Sequence, residues 1–219
     1  MCISAASSEF FSTHHKAYIR VVDLSDWYYS LLKWPVSRYV YSRRIKAILM
    51  NKPVSCSDFL HGMRRFASSV CIVASTDSGT PHGATVTSLA SVSVEPPTLL
   101  VCLNHKGRCA GAIRSTGRFC VNLLDESAVH VAELFSGKSA DGSAVRFDRV
   151  GWRPGNTGCP ILVDSLSAFE CEVEHMLRVN THWVFFGTVV ASSVRVGQPL
   201  IYGDRGFRTL AKIENASLP

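Results

Sequence analysis

Apolar positions in this chain fall mainly into short continuous or alternating runs rather than helical stripes. "SVCIVAST" (69–76) is an unbroken apolar run followed by the turn chemistry "DSGTPHG", which predicts a buried strand and a hairpin. From Val86 to Val94 the even positions read Val, Ser, Ala, Val, Val and the odd ones Thr, Leu, Ser, Ser. That is a strand-like alternation, out of phase at Ser88-Leu89, where it predicts a bend or bulge. Pro96-Pro97 punctuates, and "TLLVCLN" (98–104) and "RFCVNLL" (118–124) predict two more buried strands. "LSAFECEVEHMLRV", "HWVFFGTVVASSVRV" and "QPLIYGD" make the last third strand-like throughout. Helical signals are short. Ser57 is placed to cap a helix through Phe66 with Phe59, Leu60, Met63 and Phe66 on one face, and Gly107 to Ser115 reads as a second helix. Asp125 would cap a third, burying Val129, Ala132, Leu134 and Phe135. "SGKSADGSAVRFDRVGWRPGNTGCP" reads as a long loop. Six or more strands with short helices between them predict a mainly β domain that closes into a small barrel.

The pattern changes near residue 50. The first 49 residues contain none of the chain's 15 glycines and five of its six tyrosines. Tight turns use glycine, so a boundary is placed there: an extension over 1–49, disordered or produced by an early start, and a domain over 50–219. A docking arm is the other reading of the extension. "MCISAASSEFF" lacks the basic and apolar regions of a secretory signal, and no run approaches the roughly 20 apolar residues of a membrane-spanning helix. No membrane partner is expected.

The net charge of +6 is concentrated in the extension, which holds seven Lys/Arg against three acids. The remaining 170 residues carry 16 bases and 14 acids, too even a balance for a nucleic-acid groove. Eight cysteines form no C-x-x-C pair and no zinc spacing, so no metal site is expected. Several lie in apolar runs, and they read as reduced core residues in a cytoplasmic protein.

No nucleotide-loop, zincin or nucleophile-elbow motif is present. Glu170, Glu172 and Glu174 alternate along one strand and read as a solvated face rather than an acid/base pair. What remains is a strand of small and hydroxyl side chains, Ala84 to Ser88, followed by the cations Lys106, Arg108 and Lys138. Small side chains let a flat heteroaromatic ring approach the backbone, and hydroxyls with an adjacent cation suit a phosphate tail. The alternative is a strand merely decorated with hydroxyls.

In order along the chain, "MRRFASSVCIVAS", "PHGATVTSLASVSVEPPTLLVCLN", "GRFCVNLL", "LFSGK…RFDRVGW", "TGCPIL", "AFECEVE", "THWVFFGTV" and "PLIYGDRGFRTL" resemble the short-chain NAD(P)H:flavin reductases with an FMN-binding split barrel. The resemblance implies a Greek-key split barrel, a homodimer, and hydride transfer from NADH or NADPH to FMN (or FAD). It also implies that the reduced flavin is supplied to a flavin-dependent monooxygenase component. Carried over by position, Thr85, Val86, Thr87, Ser88, Leu103, Asn104, Lys106, Arg108, Cys109 and Lys138 would bind the flavin. His82, Gly83, His182, Tyr202, Gly203, Asp204 and Arg205 would lie on the nicotinamide side, with His182 catalytic. The Gly-Asp that usually precedes this histidine is Asn180-Thr181 here. Two other readings stay open: a tightly held flavin that reduces another acceptor, and a flavin- or haem-binding module without turnover.

Overall fold

In the computed structural model the described residues are 52–137 and 143–212. The extension over 1–49 and Lys138 therefore lie outside them. The chain divides into two units at Cys56/Ser57, and the barrel belongs to the second, Ser57–Pro219.

The strands are β1 (Ser68–Ser69), β2 (Cys71–Asp77), β3 (Thr80–Val86), β4 (Leu89–Val94), β5 (Pro97–Asn104), β6 (Arg118–Leu123), β7 (Trp152–Pro154), β8 (Pro160–Leu162), β9 (Ser167–Val179), β10 (His182–Val194), β11 (Ile201–Gly203) and β12 (Gly206–Arg208). The helices are α1 (Cys56–Met63), α2 (Arg108–Thr116), α3 (Val129–Leu134) and α4 (Ser143–Asp148). Seven strands form one antiparallel sheet in the order β3-β2-β6-β9-β10-β5-β4. Its two edges, β3 and β4, are joined by Thr87 and Ser88 alone. Three Cα–Cα steps span at most about 11 Å, so the sheet must curl until its edges nearly meet. The barrel is closed by covalent linkage and split in its hydrogen bonding. A β1-β11-β12 sheet and a β7-β8 hairpin lie outside it.

This corrects the expectation at Ser88-Leu89. The loss of phase there marks the crossing from one sheet edge to the other, and the irregularity in the ladder falls between Ser91 and Ser93. The β4–β5 turn contains a cis Glu95–Pro96 bond.

Strand β2 is buried on both faces, which is why it reads as an unbroken apolar run. Cys71 and Val73 enter the barrel core with Val101, Leu103, Phe119, Val121 and Phe185, and Ile113 and Cys109 of α2 reach into the same core. Ile72 and Ala74 face a second core with Leu124, Val131, Ala132, Phe135, Phe147 and Leu200.

The helices depart from expectation in three places. α1 ends at Met63 and buries no residue; Phe59, Leu60, Met63 and Phe66 are all exposed, so the apolar face is real but uncovered by the described residues. Asp125 caps a turn rather than α3, accepting from Ser127 N–H at 3.0 Å and Ser127 Oγ at 2.7 Å. The expected long loop contains α4 and β7, because Phe147 packs edge-on against Phe135 at 5.0 Å and against Trp152 at 4.7 Å. The acid row also differs. Glu170 is buried, accepting from Thr157 N–H and Thr157 Oγ1 at 2.7 Å each, whereas Glu172 and Glu174 are exposed.

Candidate active site

At the seam, between β3 with its Thr87-Ser88 link and the end of β5, lies a cavity of about 420 Å³. Cavities of about 400 and 420 Å³ lie elsewhere, so size does not single it out. Charge does. Arg108, Arg146, His82 and His182 line the seam cavity with no carboxylate among its described lining residues, whereas the other 420 Å³ cavity sets Asp125 and Asp164 against Arg149 and Arg195.

One wall is β3 and its continuation. Ile72 pairs with Thr85, and Thr85 N–H donates to Phe135 O at 3.0 Å on the side away from β2. The pleat therefore presents Gly83, two residues back, on the same open edge. Gly83 leaves room for aromatic packing: a Cβ there would stand 2.9 Å from Phe135 Cδ1 and 3.1 Å from Phe147 Cζ. The Thr85 hydroxyl donates to Ala132 O at 2.7 Å, which ties α3 to the strand. The Ser88 hydroxyl donates to Cys102 O at 2.9 Å, and Cys102 N–H returns to Ser88 O at 3.1 Å. Two of the three expected ligand hydroxyls thus have their protons committed to the scaffold. That of Thr87, exposed in the linking pair, has no partner among the described residues.

The facing wall is the end of β5 and the start of α2. Asn104 shapes this corner: its Oδ1 accepts Lys106 N–H at 3.0 Å, and its carbonyl accepts Gly107 N–H at 2.9 Å. Gly107 is extended at the N-cap and provides no side-chain cap. The first intrahelical bond runs from Gly111 N–H to Gly107 O, leaving the N–H groups of Arg108, Cys109 and Ala110 without helical acceptors. A helix start beside a cation suits an anion. Cys109 lines this wall as an inert thiol: it donates to Val73 O at 3.3 Å, and burial pushes its pKa up to about 12.

His182 opens β10 opposite Asn104. Asn180 takes the left-handed turn position at φ 50°, a conformation Asn tolerates better than most residues. Thr181 Oγ1 lies 2.9 Å from His182 Nδ1, fixing the ring and leaving Nε2 as the uncommitted nitrogen. The Asn180-Thr181 pair therefore supplies both the turn and a hydrogen-bonding partner for the histidine.

Of the residues expected from sequence, His82, Gly83, Thr85, Val86, Thr87, Ser88, Leu103, Asn104, Arg108, Cys109 and His182 line this one cavity. Lys106 is in its corner turn but is not part of the lining. Tyr202, Gly203, Asp204 and Arg205 do not line it within a single chain. They form the β11–β12 hairpin, held by Asp204 N–H to Arg64 O at 3.1 Å. The sequence reading did not name Ala84, Cys102, Gly107, Ala110, Phe135, Ser136, Gly137 and Arg146 as site residues. "LFSGK" and "RFD" had marked the segments that hold the last four, but not their convergence.

The seam fits a planar ring with an anionic tail: its open edge is small-residue backbone and one end is cationic. Residues 63–211 match the flavin reductase like domain. The chain is 36% identical over 162 residues to FMN reductase (NADH) RutF 1 of Methylorubrum extorquens, covering 73% of this chain and 79% of that one. It is 40% identical over 157 residues to a flavin reductase (NADPH) of Lentzea aerocolonigenes, covering 70% and 89%. The structure superposes with a TM-score of 0.69 on a flavin reductase fold from Haemophilus somnus (30% identity, 72% and 100% covered). The β order, the seam and the ordered match place this chain in the flavin reductase-like domain family.

Proposed function

We propose that this protein is an NAD(P)H-dependent flavin reductase that reduces FMN, or FAD, in the β3–β4 seam and releases it to a flavin-dependent monooxygenase component. The observation that carries this reading is the single cavity uniting the small-residue edge, the cationic α2 start and His182. Hydride transfer from nicotinamide C4 to flavin N5 is chemistry that the two bound rings supply themselves. The chain's contribution is alignment. Gly83 and Ala84 keep the β3 wall low, while Thr85 and Ser88 brace it through backbone acceptors. Arg108 and the free N–H groups of α2 hold the anionic end, and His182 orients the second ring at the other wall.

The exposed apolar face of α1 supports a homodimer in which Tyr202 to Arg205 would complete the nicotinamide side. The seven described cysteines are all free thiols, which supports a reducing, cytoplasmic setting. No described helix is long and apolar enough to cross a membrane.

Anaerobic mixing of the full chain with NADH or NADPH and excess FMN or FAD tests the reading. Bleaching of many flavins per chain is expected, falling about 10- to 100-fold in His182→Ala with flavin still bound. Bleaching of one tightly held equivalent only would indicate a bound-cofactor oxidoreductase. Binding without bleaching would indicate a passive module.

A further inference from the structure

We propose that the lip beside His182, formed by Arg178, Lys106 and His105, takes the 2′-phosphate of the hydride donor, so that this chain uses NADPH in preference to NADH. The assignment rests on the flavin reductase reading of the cavity and goes beyond it by choosing the donor.

Two turns are stitched together at this lip. His105 N–H donates to Thr181 O at 3.0 Å, joining the β5–α2 turn to the β9–β10 turn, and His182 pairs with Asn104 beside that bond. Lys106 N–H closes the first turn on Asn104 Oδ1 at 3.0 Å. Arg178 Nε–H closes over the second, donating to Asn180 O at 3.2 Å. All three basic side chains therefore leave the backbone next to His182 or its strand partner. The Nε bond holds the Arg178 fork at the turn. Among the described residues it leaves the two terminal amino groups, the paired donors that suit a phosphate.

Two histidines show that this lip is separate from the cationic end at Arg108. Burial first, then the charge of Arg108, lowers the pKa of His82 below the ordinary 6.5, with Asp77 opposing and Arg146 adding. For His105 the causes are slight burial, then Arg178, Lys106 and His182, with no acid opposing. The two sets of charges share no member. Two anionic substrates whose rings meet call for two such regions. Arg178, Lys106 and His105 do not line the cavity that His182 lines; they stand just outside it, where the remainder of a donor with its nicotinamide at His182 would extend.

NADH and NADPH share a pyrophosphate and differ by one phosphomonoester, which adds roughly 1.5 to 2 negative charges at pH 7. A site built for NADH offers a carboxylate to the free ribose 2′-hydroxyl, whereas an arginine accommodates the 2′-phosphate. The charges that reach His105 are of the second kind.

Steady-state rates at saturating FMN, and equilibrium titration with NADP+ and NAD+, test this on the full chain and on Arg178→Ala, Arg178→Lys and Arg178→Glu. Arg178 is exposed, so these variants should fold. The wild type should favour NADPH about 5- to 20-fold in kcat/KM, and NADP+ by a similar factor in affinity. Arg178→Ala should lose most of that preference through a higher KM for NADPH, with the KM for FMN in place. Arg178→Lys should keep part of the preference, Arg178→Glu should reverse it, and added salt should shrink it in the wild type. Equal or better use of NADH by the wild type would overturn the assignment. So would a preference that survives Arg178→Ala and Arg178→Glu, or a loss carried by the KM for FMN, which would give the lip to the flavin. If neither dinucleotide bleaches flavin, the reductase reading itself falls and the assignment with it.

Discussion

Replacing Glu170 by Gln isolates one buried charge in a region where the alternating acids of β9 suggested only a solvated face. Glu170 is 4% exposed, and its Oε2 accepts both the N–H and the Oγ1–H of Thr157 at 2.7 Å. Burial alone would raise its pKa. The Thr157 bonds, a further one from the Asn156 backbone and the nearby Arg153 reverse that, leaving it below the ordinary 4.5. An amide has the same shape but accepts at one atom only. Two charge-assisted bonds become neutral, a loss of about 1 kcal/mol or more each, and an amide N–H₂ is turned toward a donor. The sum is about 2–4 kcal/mol, or roughly 5–15 °C in melting temperature for a domain of this size. The sign with pH follows from the lowered pKa. The stabilisation is complete above the unfolded value near 4.5 and is lost as pH falls through the folded value beneath it. Urea unfolding of both proteins at pH 7, 4.5 and 3.5 reads this directly. The gap should be full at pH 7 and narrow only at the most acidic point. A gap below about 0.5 kcal/mol at pH 7, or one of constant size across the series, would refute the reasoning.

Gly83→Ala places a methyl 2.9–3.1 Å from Phe135 and Phe147, so overpacking of about 1–3 kcal/mol should outweigh the smaller gain in chain stiffness. Denaturant unfolding should show a net loss of about 1–2 kcal/mol together with weakened flavin binding. Gly111→Ala is the control: it lies inside α2 with open space around it, and should stabilise by about 0.5–1 kcal/mol. With its pKa near 12, Cys109 should resist iodoacetamide at pH 8 under conditions that label the exposed Cys56, as read by peptide mass spectrometry. Equal labelling of the two would show that the α2 wall opens readily.

Local pattern made the strands legible because β2, β5 and β6 are buried on a scale their own residues reveal. The strand order was not legible, since β3 and β4 adjoin in sequence yet stand at opposite ends of the sheet. α4 was missed for a similar reason. Its six residues carry little periodicity, and Phe147 is secured by Phe135 and Trp152, which no local window contains. Glu170 shares the alternation of its neighbours, and only the Asn156–Thr157 segment distinguishes it. The site's hydroxyls and Arg108 could be picked out by residue type and by resemblance to a family. Arg146 could not, because only the folding of α4 brings it to the cavity.

The two-residue link across the seam also governs when the site can exist. Thr87 and Ser88 hold β3 and β4 close from the start, but the walls of the cavity, residues 82–88 on one side and 102–110 on the other, face each other only once the whole circuit β2-β6-β9-β10-β5 is in register. Contacts of long sequence separation close slowly. No fragment lacking an inner strand would present this cavity, and no partly formed sheet would. Ligand binding to the seam is therefore a reporter of completed folding: its onset during refolding should trail the gain of β structure and coincide with the last recovery of barrel packing.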